Sequence, residues 1–123
     1  MGSQLRRVLI VEDEFIIADE LAGFIRRAGH VCIGPVATLT DALTLIDQED
    51  FDAAILDSML GHDPVDPLAD QIAERRIPFA FATGQADGRH SRYSNVPIIM
   101  KPYSEPEVIT VLAKLVLESE ARV

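Results

Sequence analysis

The chain has one cysteine, Cys32, and no tryptophan. A lone cysteine closes no internal disulfide, so nothing in the sequence asks for an oxidising compartment. Basic residues are also scarce. Eleven Lys and Arg stand against 20 Asp and Glu, giving a net charge of −9 and a pI of about 4.6. A surface of that sign repels phosphate backbones and anionic lipids, which argues against nucleic acid or membrane as partners. No apolar run approaches the roughly 18 residues of a membrane span. Residues 1–7 lack the apolar stretch of a secretory signal. A cytoplasmic protein is the expectation. Repeats, low-complexity tracts and linkers are missing too, and 123 residues fit one domain. With 48% apolar residues, that domain can bury a core without disulfides or a structural metal.

What is present is an alternation of short apolar runs and helical patterns. Val8, Leu9, Ile10 and Val11 form an aliphatic run without polar alternation, as in a strand buried on both faces. Residues 14–28 follow, with Phe15, Ile16, Leu21, Phe24, Ile25 and Ala28 at helical spacing, and Gly29 stands where a helix stops. Val31, Cys32 and Ile33 predict a second strand ended by Gly34-Pro35. Thr38 and Asp41 have capping-box spacing ahead of an apolar stripe that includes Ala42 and Ile46. Residues 53–56 predict a third strand ending at Asp57. Asp66-Pro67 has the form of an N-cap followed by proline at the first helical position, with Leu68 and Ile72 facing inward. Residues 78–83 and 98–100 predict a fourth and a fifth strand. Ser104 and Glu107 make a second capping box before a last helix carrying Val108, Leu112 and Leu115.

Strands alternating with helices imply a parallel sheet with right-handed crossovers. Five strands with helices on both faces give an α/β, flavodoxin-like doubly wound domain with strand order 2-1-3-4-5. Between Thr83 and Lys101, apolar residues are sparse and show no helical period, while Gly84, Gly88, Ser91, Ser94, Asn95 and Pro97 are frequent. The fourth helix is therefore expected to be short or absent.

In such sheets, sites form beyond the carboxyl ends of the strands. Glu12 and Asp13 follow strand 1, Asp57 ends strand 3, Thr83 ends strand 4 and Lys101 follows strand 5. Strands 1 and 3 are neighbours in this order, about 4.8 Å apart, so three carboxylates converge. Like charges at that range cost roughly 1 kcal/mol per pair even in a water-like medium. A hard divalent cation relieves the cost, and oxygen donors of this kind suit Mg²⁺. Carboxylates, a cation and a lysine make a phosphoryl-transfer site, with Asp57 as nucleophile, Lys101 neutralising a phosphoryl oxygen and the Thr83 hydroxyl donating a hydrogen bond. Taken singly, each residue has a plainer role: dipole complement for Glu12 and Asp13, turn former for Asp57 and Thr83, solvated charge for Lys101. The ordered set outweighs those roles.

As a set, Val11-Glu12-Asp13-Glu14, Leu56-Asp57, Ala82-Thr83-Gly84 and Lys101-Pro102-Tyr103 resemble the motifs of two-component response regulator receiver domains, over essentially the whole chain. The resemblance implies that Asp57 accepts a phosphoryl group from a phosphohistidine on a histidine kinase or histidine phosphotransferase. It implies that Asp13, Asp57 and the main-chain carbonyl of Met59 ligate Mg²⁺, with Glu12 acting through water, and that the Lys101-Pro102 bond is cis. It implies docking of the kinase on the exposed faces of the first and last helices. Phe81-Ala82-Thr83-Gly84 resembles the signature of the FATGUY single-domain subgroup, whose tyrosine is replaced here by Ala86. Most receivers carry an aromatic residue three positions before the lysine. Ile98 stands there, so the switch is expected in the loop after Thr83, with Thr83, Gly84 and Pro102 as its parts. Gly61 is expected to let the loop after Asp57 close over the metal.

A single receiver domain with no output domain is expected to signal by protein contact, as a relay intermediate, a phosphate sink or a kinase modulator. Its only chemistry is its own phosphorylation and dephosphorylation. A Mg²⁺-dependent phosphatase resembling the haloacid dehalogenases would need Asp-x-Asp after strand 1, where this chain has Glu12-Asp13-Glu14. An FMN binder would need a Ser-, Thr- and Gly-rich phosphate cradle there, and a pseudo-receiver would lack the complete acid set. His30, His62 and His90 show no metal-ligand spacing, and Cys32 reads as an inert buried thiol. Arg6-Arg7 and Arg26-Arg27 read as solvated pairs, Ser58 as structural, and Tyr93 as packed in the irregular loop.

Overall fold

A computed structural model of the chain describes residues 5–84 and 93–121. The aliphatic run forms β1 (Arg7–Val11), and its last four residues are buried. β1 lies between β2 (Val31–Val36) and β3 (Ala53–Asp57), and β6 (Phe79–Thr83) and β7 (Ile98–Met100) follow on the β3 side. All four pairings are parallel. A separate two-stranded hairpin, β4 (Met59–Leu60) and β5 (Asp63–Pro64), stands between β3 and β6 in the chain. With that hairpin set aside, the order β2-β1-β3-β6-β7 is the expected 2-1-3-4-5.

Side-chain alternation along the central strands divides the core in two. Leu9, Val11, Ala54, Leu56, Phe79 and Phe81 meet α2 (Leu39–Gln48) and α3 (Asp66–Glu74). Val8, Ile10, Ala53, Ile55, Ala80 and Ala82 meet α1 (Phe15–Arg27) and α4 (Glu105–Ala121). Thr38 caps α2 through its side chain alone, and Ser104 with Glu107 closes a full box. Thr38 Oγ1 accepts from Asp41 N at 3.1 Å, and Ser104 N donates to Glu107 Oε1 at 2.9 Å. Among the described residues no α-helix stands between β6 and β7. Residues 85–92, with Ala86, Gly88, His90, Ser91 and most of the expected switch loop, lie outside the described residues. The described end of that connection packs: the Tyr93 ring meets Phe79 at 5.4 Å and Phe81 at 6.2 Å between centroids, and its hydroxyl donates to Asp70 on α3. No helix among the described residues is long and apolar enough to cross a membrane.

Several local expectations change. β2 does not end at Gly34-Pro35 but runs through it to Val36, with the register slipping between Leu9↔Ile33 and Val11↔Val36. Gly34 permits this. Its φ is +91°, and a Cβ there would lie 2.9 Å from Val36 N and 3.0 Å from Ile10 O. Phe15 and Ile16, expected in the inward stripe of α1, are 82% and 81% exposed. The stripe that meets the sheet is Ala18, Leu21, Ala22, Phe24 and Ile25, and the first turn stands at the rim instead. The N-cap of α3 is Val65 rather than Asp66, because buried Val65 offers its carbonyl to Leu68 N and Ala69 N at 2.9 and 3.0 Å. The arginine pairs are not simply solvated. Arg6 meets Glu120 at 3.1 Å, Arg7 meets Glu49 at 2.7 Å and Arg27 meets Glu105 at 3.1 Å.

Candidate functional site

Four strand ends and one bulge build the site. The slipped register of β2 brings the Val36 carbonyl to Glu12 N at 3.0 Å, which fixes the residue just past β1. The Glu12 side chain is 2% exposed, and its Oε2 accepts from Glu14 N at 3.1 Å. Asp57 closes β3, is buried, and accepts from Met59 N through Oδ1 at 3.3 Å. Asp13 is exposed, and its Oδ2 accepts from Gly61 N at 2.9 Å. Gly61, with φ of +64°, is in the turn of the β4–β5 hairpin, so its backbone is held rather than loose. One carboxylate oxygen from each of Glu12, Asp13 and Asp57 lies within 4.8 Å of the others.

Lys101 follows β7, its N–H donating to the Thr83 carbonyl at 2.8 Å, and the Lys101-Pro102 bond is cis. Its ammonium sits 2.7 Å from Glu12 Oε1, 3.2 Å from Asp57 Oδ2 and 3.9 Å from Glu14 Oε1. Thr83 closes β6 and is buried. A cleft of about 360 Å³ opens above these groups, lined by Asp57, Ser58, Met59, Thr83, Gly84 and Lys101 with the neighbouring acids.

The charges respond to this crowding unequally. Burial, opposed by Lys101 and the Glu14 N–H and reinforced by the charge on Asp57, pushes the Glu12 carboxyl up to about 7. Burial works against ionised Asp13 as well, but the Gly61 N–H and the neighbouring carboxyl groups outweigh it and hold Asp13 below its usual range. Burial also works against the Lys101 ammonium, yet Glu12 and Asp57 outweigh it and hold the amine above the ordinary lysine value. The strain therefore falls on Glu12. Within the cluster of three acids only Glu12 and Asp57 reach the Lys101 ammonium, and a set of three oxygen donors in excess of positive charge fits a hard divalent cation such as Mg²⁺.

The sequence-predicted residues Asp13, Asp57, Met59, Thr83, Gly84 and Lys101 thus border one cleft, and buried Glu12 joins them through Lys101. Pro102 follows on the exposed turn beyond Lys101. His62 is exposed, and His30 is bonded elsewhere, its Nδ1 accepting from Arg6 N at 3.1 Å. Cys32 is half-buried, its thiol pushed up by burial. Three residues gain roles that the sequence did not give them. The Gly61 N–H holds Asp13 from a hairpin too short to show a period, Glu14 meets Lys101, and the Tyr103 ring packs on the core face of α1 and α4.

No family model matches the chain. It is 31% identical over 110 residues to the Transcriptional regulatory protein PdtaR of Mycobacterium tuberculosis, covering 85% of this chain and 53% of that protein. The chain spans about half the length of the curated relatives it matches. Among solved structures it is 39% identical to SdrG from Sphingomonas melonis Fr1, covering 93% of this chain and 98% of SdrG with a TM-score of 0.82. The BeF3-activated conformation of SdrG superposes with a TM-score of 0.77, covering 94% and 99% at 39% identity. A response regulator receiver domain protein (CheY-like) from Methanospirillum hungatei JF-1 is 25% identical over 98% of this chain and 100% of that one, with a TM-score of 0.85.

Proposed function

The chain belongs to the response regulator receiver family, and on that premise we propose that it is a phosphoacceptor whose nucleophile is Asp57. The donor is the phosphohistidine of a histidine kinase or histidine phosphotransferase. An Asp57 carboxylate oxygen attacks the phosphorus, the P–N bond breaks, and its electron pair leaves on the imidazole, which takes up a proton. Lys101, 3.2 Å from Asp57 Oδ2, neutralises a phosphoryl oxygen, and the Thr83 hydroxyl turns toward the group once it is present. Asp13, Asp57 and the Met59 carbonyl would hold Mg²⁺, with Glu12 assisting from behind them. When bound, the ion neutralises the charge that gathers on the phosphoryl oxygens.

The observation that carries this reading is the lysine bridge between two buried acids of neighbouring strand ends, Glu12 and Asp57, at the mouth of an open cleft. Phe15, Ile16, Met59 and Met100 are exposed apolar residues close to site residues along the chain, and they offer a partner apolar surface. SdrG takes a BeF3-activated form, and this chain does so too on our reading. Phe81-Ala82-Thr83-Gly84 supports a kinship with the FATGUY subgroup, although Ala86 stands where that subgroup has tyrosine, and a cytoplasmic setting belongs to the same reading. Thr83, Gly84 and Pro102 carry the switch, and the output is a protein contact: relay, phosphate sink or kinase modulation. Acetyl phosphate with Mg²⁺ should add one phosphoryl group, seen by intact mass, and Asp57→Asn should abolish it. Labelling that persists in that variant overturns the assignment.

A further inference from the structure

Two buried side-chain atoms near the cleft lack a hydrogen-bond partner among the described residues: an acceptor, Glu12 Oε1, and a donor, the Tyr103 hydroxyl. Glu12 Oε1 meets the Lys101 ammonium at 2.7 Å, so its charge is paired in this state. Tyr103 stands two residues past Lys101, and its ring packs on the core face shared by α1 and α4. A phenylalanine would fill that space without burying an unsatisfied hydroxyl, so the oxygen needs an explanation. Burial first, then the charges of Glu12, Glu20, Asp57 and Glu14, raise the phenol well above its ordinary value, so it remains a donor throughout the neutral range. Of those four acids, Glu20 and Glu14 are exposed and hydrated. Asp57 is the group being modified on the reading above. Glu12 alone is buried with an oxygen whose one cation, Lys101, is also shared with Asp57.

We propose that Tyr103 is a positioning residue that takes the place of Lys101 at Glu12 when the site is loaded. The inference rests on the phosphoacceptor reading. A phosphoryl group on Asp57 draws the Lys101 ammonium toward itself and away from Glu12 Oε1. That would leave a buried carboxylate oxygen without its cation. The Tyr103 hydroxyl then donates to it, keeping Glu12 aimed at the site and tying the loaded state to the α1–α4 packing around the phenol ring.

The chain has two tyrosines and no tryptophan, so a tyrosine Cζ carbon label gives two NMR signals, and Tyr103→Phe identifies one of them. Beryllofluoride with Mg²⁺ is the probe, its binding followed by fluorine NMR. The Tyr103 signal should move downfield, and its hydroxyl proton should exchange more slowly with water. Tyr103→Phe should melt at or above the wild type without ligand, yet gain less from beryllofluoride. Bound fluoride with an unmoved Tyr103 signal, or an undiminished gain in Tyr103→Phe, overturns this inference alone. No bound fluoride in the wild type overturns the phosphoacceptor reading and this inference with it.

Discussion

The two rims of the sheet use the same residue types in opposite ways. At the amino rim, acids meet basic partners. Arg7 binds Glu49 at 2.7 Å and the Asp50 carbonyl at 2.6 Å, Arg75 binds Asp47 at 2.7 Å, and Asp52 accepts the Arg7 N–H at 2.8 Å. At the carboxyl rim, Glu12, Asp13 and Asp57 meet one another, and one ammonium bridges Glu12 and Asp57. The amino rim is arranged for the folded chain by itself. The carboxyl rim is arranged for something that is added. Crowded acids at a strand end tell more about function than any number of paired ones.

The contrast can be broken by removing one cation from each rim. Lys101→Met should cost about 3 kcal/mol in urea unfolding, because it strands two buried carboxylates without their counter-charge. Arg7→Ala should cost only about 0.5–1 kcal/mol, because its side chain is 38% exposed and water replaces the lost pair. Equal losses would erase the distinction between the rims. A smaller effect sharpens it. Burial, then Arg6, pushes the His30 imidazole below its ordinary value, although Asp52 opposes this. A neutral His30 in the fold means that the unfolded chain takes up a proton first as pH falls through 6.5. Its contribution is complete above that pH and is lost below it. His30→Gln should flatten this slope of stability against pH while leaving stability at pH 8 nearly unchanged.

Much of this was legible in the chain. The strands show as aliphatic runs, and the acids, hydroxyl and lysine come at their ends in an order that only one sheet topology brings together. What was hidden depended on contacts across the fold. Helical spacing marks Phe15 and Ile16 as apolar but does not tell where the sheet beneath them stops. Gly34-Pro35 reads as a strand end until the close approach of Ile10 O and Val36 N is known. The β4–β5 hairpin has two residues per strand, too few for alternation to register, and yet its Gly61 N–H holds Asp13. The arginine partners at the amino rim lie far away in sequence, so local charge patterning could not supply them.

The central claim is that the carboxyl rim is kept for a small cation. Thermal unfolding of the full chain, first in chelator and then along a Mg²⁺ titration, tests it most directly. A ligand that binds only the folded state raises the melting temperature with its concentration. The account predicts such a rise for the wild type and its loss in Asp13→Asn, while calcium- and magnesium-free Asp13→Asn stays folded. A melting temperature indifferent to Mg²⁺, or one that climbs equally in the variant, would contradict it.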